Sequence, residues 1–266
     1  MASVGVLRAP APVNLGVWDG NNMASQIMNY SNFYLILDDL QRLNQAIEVI
    51  RKKVVSVSSI SYVSQDARQV ALDGLQSDIG TCGNWIRALM SLKGLSHEKH
   101  RDNWEEEYRK LIGTGLPSGQ AEALMLDYLR NTITTKAHFK IENLFSNILN
   151  ALNATPKQSG FWHISNAMLE KSGICITGAE KNTLTTLANL RNSFHTNGMH
   201  NKDSMSIDIN GVGFEFHKGK QVKCASWKHI VIIMQANISV LESILLSNNV
   251  SNIRSVIPDA FAASNP

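Results

Sequence analysis

The sequence is poor in cysteine, proline and aromatic residues. Its three cysteines (Cys82, Cys175 and Cys224) are odd in number and far apart, which excludes a disulfide framework or a CxxC-type zinc site and fits a reducing compartment. Six prolines among 266 residues leave long stretches free to form helices. A hydrophobic content of 44% is sufficient for a core and excludes disorder as the main state, in one large domain or two smaller ones.

Long apolar runs and a strong charge imbalance are also absent. The formal net charge of +3 is too small to indicate a nucleic-acid-binding protein by itself. No apolar run follows a basic start in the first 20 residues, so we predict no signal peptide. The most apolar stretch, residues 230–246, contains Gln235, Asn237 and Glu242, which are costly in hydrocarbon. It therefore predicts a buried core helix, and we expect a cytoplasmic protein without membrane contact.

Helical periodicity dominates the chain and predicts a mainly α fold. An irregular leader at 1–21 precedes an N-terminal helical region at 22–112, which the turn-forming segment GTGLPSG (113–119) ends. Within that region, residues 54–64 (VVSVSSISYVS) fit either a strand or a loop. The predicted helices lie at about 24–54, 64–78, 82–93, 97–111, 118–131, 136–152 and 161–171. A tail begins at about residue 251 and runs to 266.

Two local signals predict the structure of residues 177–216. Thr177 and Glu180 fit a capping box, and the helix that they begin should end at Asn197–Gly198. Apolar residues then alternate on both sides of Asn210–Gly211, the preferred two-residue turn, and predict a hairpin at 205–216. A third strand after Lys218–Gly219 would extend it to a three-stranded meander. We therefore predict a helical bundle with this small β element inserted before a last long helix at about 227–246.

The segment LANLRNSFHTNGMHN (187–201) contains the candidate catalytic residues. Arg191 and His195 share one helix face at the edge of the apolar stripe, Asn192 follows the arginine, and His200 lies beyond the helix end. A guanidinium holds phosphate through forked hydrogen bonds, and a histidine exchanges a proton with a ribose 2′-hydroxyl or a leaving oxygen. Such a pair could cleave RNA without a metal or a cofactor and would spare DNA.

This segment resembles the Arg-polar-…-His motif of the HEPN superfamily, helical proteins found in toxin–antitoxin, anti-phage and RNA-processing systems. The asparagine after the arginine and the position of the motif near the end of a late helix support the resemblance. The KIEN segment at 140–143 is similar to the acidic position of the first core helix in some members. The resemblance covers residues 118–250. It implies a homodimer whose two motifs face each other in a cleft and, in active members, metal-independent endoribonuclease activity.

The spacing of the motif departs from the family pattern and leaves alternatives open. The family has four to six residues between arginine and histidine, whereas three separate Arg191 from His195 and eight separate Arg191 from His200. Three alternatives follow. Either His195 acts from a different angle, or His200 folds back from the loop. In the third alternative the motif is not catalytic, and Arg191 pairs with Glu142 or Glu180. In the last case we expect a non-catalytic helical dimerisation or protein-interaction module. A subunit of a larger assembly, docking through residues 22–112, is a further alternative.

A basic stretch, HKGKQVKCASWKH (217–229), follows the hairpin with little acidic compensation. Positive side chains beside Trp227 fit contact with a phosphate backbone, although a solvated turn has the same composition. The candidate RNA-binding residues are Lys218, Lys220, Lys223 and Lys228. No histidine or cysteine spacing in the chain matches a metal-binding motif, so we expect no metal site.

Overall fold

The computed structural model of the protein describes residues 30–58, 65–98, 118–174 and 177–259. The helices are α1 (Tyr30–Ser58), α2 (Ala67–Glu98), α3 (Ser118–Ala151), α4 (Phe161–Ser172), α5 (Gly178–His195), α6 (Trp227–Leu245) and α7 (Asn248–Ser251). The strands are β1 (Met199–His200), β2 (Met205–Ile209), β3 (Val212–Phe216) and β4 (Lys220–Gln221). All four strands lie between α5 and α6, which confirms a mainly α fold with a small β insertion before the last long helix.

Two pairs of predicted helices are single helices in the structure. Helix α2 runs unbroken through residues 79–81 and α3 through residues 132–135. Ile79 and Ile133 are buried in the core, and the Thr134 hydroxyl donates to the Arg130 carbonyl oxygen one turn earlier, at 2.8 Å. Burial of these side chains therefore outweighs the weak helix propensity of β-branched residues.

The predictions for the first third of the chain fall partly outside the described residues. Helix α1 continues to Ser58, so the first part of the 54–64 segment is helical and forms no strand there. The leader at 1–21, residues 59–64, most of the charged helix predicted at 97–111 and most of the GTGLPSG segment lie outside the described ranges.

The helices share one continuous cluster of buried side chains. Helix α1 packs on α2 and α6, α2 packs on α3, and α3 contacts α4 and α5. Helix α6 is the one helix in the described ranges that is long and apolar enough to cross a membrane. Of its most apolar window, 61% is buried inside the fold, as expected for a core helix.

The β insertion forms two separate two-stranded sheets. Strands β2 and β3 pair in the predicted register, with Met205 opposite Phe216, Ile207 opposite Phe214 and Ile209 opposite Val212. Strand β4 does form after the Lys218–Gly219 turn, but it pairs with β1 and not with β3. Backbone hydrogen bonds from Gly219 and Val222 to the carbonyl oxygens of His200 and Gly198 hold it there. The alternative of a three-stranded meander is therefore wrong.

The turn of the hairpin has the geometry that Asn-Gly favours. Asn210 and Gly211 have φ values of 54° and 77°, as a type I′ turn requires. We expect Gly211→Val to lower the free energy of unfolding by about 1 kcal/mol, because a side chain is strained in the left-handed region. Denaturant titration measures this loss. Gly213→Val is the matched control, since a Cβ at Gly213 also meets open space but positive φ is absent there, and equal losses in both variants would contradict the explanation.

The segment after α7 is irregular, and it nevertheless packs against the start of α2. Arg68 is 1% exposed and forms two hydrogen bonds with the Asp66 carboxylate, at 2.9 and 2.8 Å. Its guanidinium also donates to the carbonyl oxygens of Val250 and Ile253, at 3.4 and 3.2 Å. Asp66 in turn accepts a hydrogen bond from the backbone N–H of Ile257 at 3.1 Å. This buried pair therefore fastens residues 250–257 to α2.

Candidate functional site

The ends of helix α5 and its buried stripe determine which way the side chains of the candidate motif face. The Thr177 side chain accepts a hydrogen bond from the backbone N–H of Ala179 at 3.3 Å, and its hydroxyl donates to Glu180 Oε2 at 2.6 Å. At the other end the Gly198 N–H donates to the Ser193 carbonyl oxygen at 2.8 Å, which closes the helix where the sequence predicts. The stripe of Leu184, Leu187 and Leu190 is buried, and this places Arg191 at its edge, half-buried.

Among the described residues no carboxylate hydrogen-bonds to the Arg191 guanidinium, although Glu142 of α3 is near enough for the two charges to interact. Its Cζ lies 4.7 Å from the centroid of the Phe139 ring, and Nη1 donates to Asn192 Oδ1 at 3.0 Å. Glu180 accepts a hydrogen bond from Thr177, and the nearest ion-pair contact of Glu142 is with His138 Nδ1, at 3.8 Å. The buried Nε atom has no hydrogen-bond partner in the described part of the protein. The Nε atom is closed to solvent, so an external anion would be met by the half-buried terminal N–H groups and by the positive charge of the guanidinium.

A histidine that the sequence prediction missed lies opposite Arg191. His138 on α3 is 4% exposed, and its Nδ1 atom lies 3.8 Å from Glu142 Oε2 without a hydrogen bond. Burial, reinforced by the positive charges of Arg191 and His195, lowers the pKa of His138 to about 4. The ring is therefore neutral at pH 7. The one available signal was its spacing of four residues before Glu142, which places both on one face of α3.

The remaining polar groups of the site differ in their exposure. His195 is exposed at the last residue of α5, and Asn192 is half-buried beside Arg191. Burial raises the pKa of Glu142, and the charge of Arg191 opposes that effect. The structure thus brings Arg191, Asn192 and His195 of α5 together with His138 and Glu142 of α3. The Arg191 site below means these five residues.

His200, the other candidate histidine, lies away from the Arg191 site. Its side chain is buried, with Nε2 hydrogen-bonded to the Asp203 carbonyl oxygen at 3.0 Å and the ring centroid 5.2 Å from that of Phe216. These contacts hold the imidazole against the β2–β3 hairpin. The structure gives His200 a packing role and does not bring it to Arg191.

Two of the four candidate RNA-binding lysines line a common groove. The groove has a volume of about 530 Å³, and Lys220 and Lys223 lie along it with His217 and His229. It is close to the end of α5, because the Val222 N–H donates to the Gly198 carbonyl oxygen at 2.8 Å. The other two lysines are exposed but absent from the groove lining. Lys218 pairs with Asp203 at 2.9 Å, and Lys228 lies in the first turn of α6.

Metal ligation and thiol chemistry have no support in the described ranges. No three histidine, cysteine, aspartate or glutamate side chains converge there to hold a metal ion. Cys82 and Cys224 are buried free thiols. Burial raises the pKa of Cys82 to about 12 and also raises the pKa of Cys224, so neither is a reactive thiolate at neutral pH.

Comparison with known proteins gives no relative of this chain. No family model, no curated protein and no solved structure matches it. A function is therefore inferred from its own residues and their geometry.

Proposed function

We propose that the protein is a HEPN-like, metal-independent endoribonuclease in which Arg191 binds the scissile phosphate. The observation that carries the proposal is the half-buried guanidinium of Arg191, which Phe139 and Asn192 position and to which no carboxylate of the described ranges hydrogen-bonds. Positive charge held without a hydrogen-bonded carboxylate favours an anionic ligand, and it stabilises the charge that develops when a phosphodiester is attacked.

In this mechanism His195 acts as the proton-transfer group. It takes a proton from the ribose 2′-hydroxyl, whose oxygen attacks phosphorus while the bond to the 5′-oxygen breaks. The leaving oxygen receives a proton from a second histidine, supplied by the His195 of the other copy in a homodimer. The products are a 2′,3′-cyclic phosphate and a 5′-hydroxyl end. His138 is neutral at pH 7, so it does not repel the Arg191 guanidinium.

The proposal also includes a surface for the RNA backbone and a biological setting. The groove with Lys220 and Lys223 lies near the end of α5 and offers positive charge to the RNA backbone beyond the cleaved bond. We place the protein in the cytoplasm of a microbe, in a toxin–antitoxin or anti-phage system, on the strength of the family resemblance alone.

A second candidate function is a non-catalytic helical dimerisation or interaction module. One observation favours it: no hydrogen bond from the described residues orients the His195 ring, whereas a catalytic base is commonly oriented by a partner. Such a module would keep the Arg191 site as a binding position and would leave RNA intact.

Incubation of the purified protein with mixed RNA in EDTA tests the proposal. We expect cleavage that leaves 2′,3′-cyclic phosphate ends, and a loss of at least about a hundredfold in rate for Arg191→Ala and for His195→Ala. The control is Arg42→Ala, which removes an exposed arginine of α1 and should leave the rate unchanged. Cleavage that persists in both site variants, or intact RNA with every substrate tested, contradicts the nuclease. Intact RNA that is bound through Arg191 supports the module.

A further inference from the structure

An exposed tryptophan directly follows Phe161, which packs against His138 of the Arg191 site. Trp162 in the first turn of α4 is 48% exposed, and Lys181 Nζ of α5 lies 4.5 Å from its ring centroid. The lysine thus covers one face of an indole that would otherwise be an isolated apolar surface. Neither residue contributes to the core, and neither has a part in the proton transfer proposed above.

Ring contacts connect the residue that precedes this tryptophan to the Arg191 site. Phe161, the preceding residue, has its ring centroid 4.3 Å from that of His138. The ring centroid of His138 in turn lies 5.8 Å from that of Phe139, the exposed aromatic residue over which the Arg191 guanidinium lies. Phe139 and Phe161 therefore flank the same buried histidine, and Trp162 directly follows Phe161 in α4.

We propose that Trp162 and Lys181 form a nucleobase-binding position for an unpaired nucleotide. The base stacks on the indole while Lys181 contacts an adjacent phosphate, a few nucleotides from the phosphate held by Arg191. A base inside a duplex is stacked between its neighbours, so this position selects single-stranded RNA. The inference rests on the proposed function for the identity of the strand.

The polar character of the surroundings favours a nucleic acid over a protein partner. The centre of a protein interface is depleted of charge and rich in apolar contacts. The exposed side chains just before Trp162 are Lys157, Gln158 and Ser159, and Asn182 is exposed next to Lys181 on α5. Stacking on an aromatic ring next to a cation is the arrangement by which single strands are bound without sequence preference.

Fluorescence anisotropy with a short 2′-O-methyl RNA tests this position. The methyl group removes the nucleophile, so the probe is not cleaved and binding is measured alone. We expect Trp162→Ala to weaken binding of the single strand by at least about fivefold. Trp162→Phe, which keeps an aromatic face, should restore most of the affinity. Binding of the same sequence as a duplex should change little.

Trp85→Ala provides the matched control. Trp85 on α2 is 51% exposed, close to the exposure of Trp162, and is not part of the Arg191 site. Trp85→Ala should leave the affinities for the single strand and for the duplex unchanged. Circular dichroism checks that each variant is folded. Equal binding of the single strand by Trp162→Ala and the parent overturns the inference, as does an equal loss for strand and duplex or an equal loss in Trp85→Ala.

The outcome separates this inference from the proposed nuclease. Binding that depends on Trp162 in a protein that never cleaves ribose-containing RNA supports the nucleobase position and contradicts the nuclease. Cleavage that depends on Arg191 and His195, with binding indifferent to Trp162, supports the nuclease and overturns the nucleobase position.

Discussion

Arg68→Met is expected to lower the free energy of unfolding by about 3–5 kcal/mol. The side chain is fully buried, and its removal leaves the carboxylate of Asp66 without the guanidinium that pairs with it. The carbonyl oxygens of Val250 and Ile253 also lose their donor. Urea denaturation followed by far-UV circular dichroism measures the change.

Two further variants separate this buried pair from a general effect of removing an arginine. Arg42→Met removes an exposed arginine whose ion pair with Asp39 spans 3.6 Å, and it should change stability by less than about 0.5 kcal/mol. Asp66→Asn combined with Arg68→Met should recover part of the loss, because no unpaired charge then remains buried. A loss in Arg68→Met no larger than that in Arg42→Met contradicts the explanation.

Acidification is expected to destabilise the protein through His138. The folded protein has a pKa of about 4 at this residue, whereas the unfolded chain has the ordinary value of about 6.5. Between these values the unfolded chain binds the proton and the folded protein does not. Stability therefore falls as the pH drops from about 6.5 to 4, by about 3 kcal/mol from this group alone.

The measurement compares the free energy of unfolding at pH 7 and pH 4 in the parent protein and in His138→Gln. The variant has no titrating ring at this position, so its decrease on acidification should be smaller by about 3 kcal/mol. His217→Gln, at an exposed histidine, should keep the pH dependence of the parent. The same decrease in His138→Gln as in the parent would show that the buried ring does not resist protonation.

Parts of the fold with strong local signals could be predicted from the sequence, and parts that depend on distant contacts could not. Asn210–Gly211 determines the hairpin and its register, and Thr177 determines the start of α5, because the deciding contacts lie within a few residues. The continuity of α3 depends on burial of Ile133 among other helices. The Arg68 guanidinium donates to carbonyl oxygens more than 180 positions away, and no local sequence pattern predicts these contacts.

The same distinction between local signals and distant contacts explains which site residues could be predicted from the sequence. Arg191, Asn192 and His195 lie within one and a half turns of one helix, so their shared face follows from spacing. His138 joins them only because α3 packs on α5, which no local pattern predicts. His200 is close in sequence, and yet the turn at Asn197–Gly198 sends its ring into the packing against Phe216.

The unbroken length of α3 gives the site a mechanical property. At 34 residues the helix is about 50 Å long, and without a break it moves as a stiff rod. Lys136 and Lys140 anchor its middle to Asp78 of α2, close to the turn that presents His138. Exposed Leu124 and Tyr128 lie near its far end. A helix without a break would transmit a displacement of that end along its axis to the turn that carries His138 and Glu142.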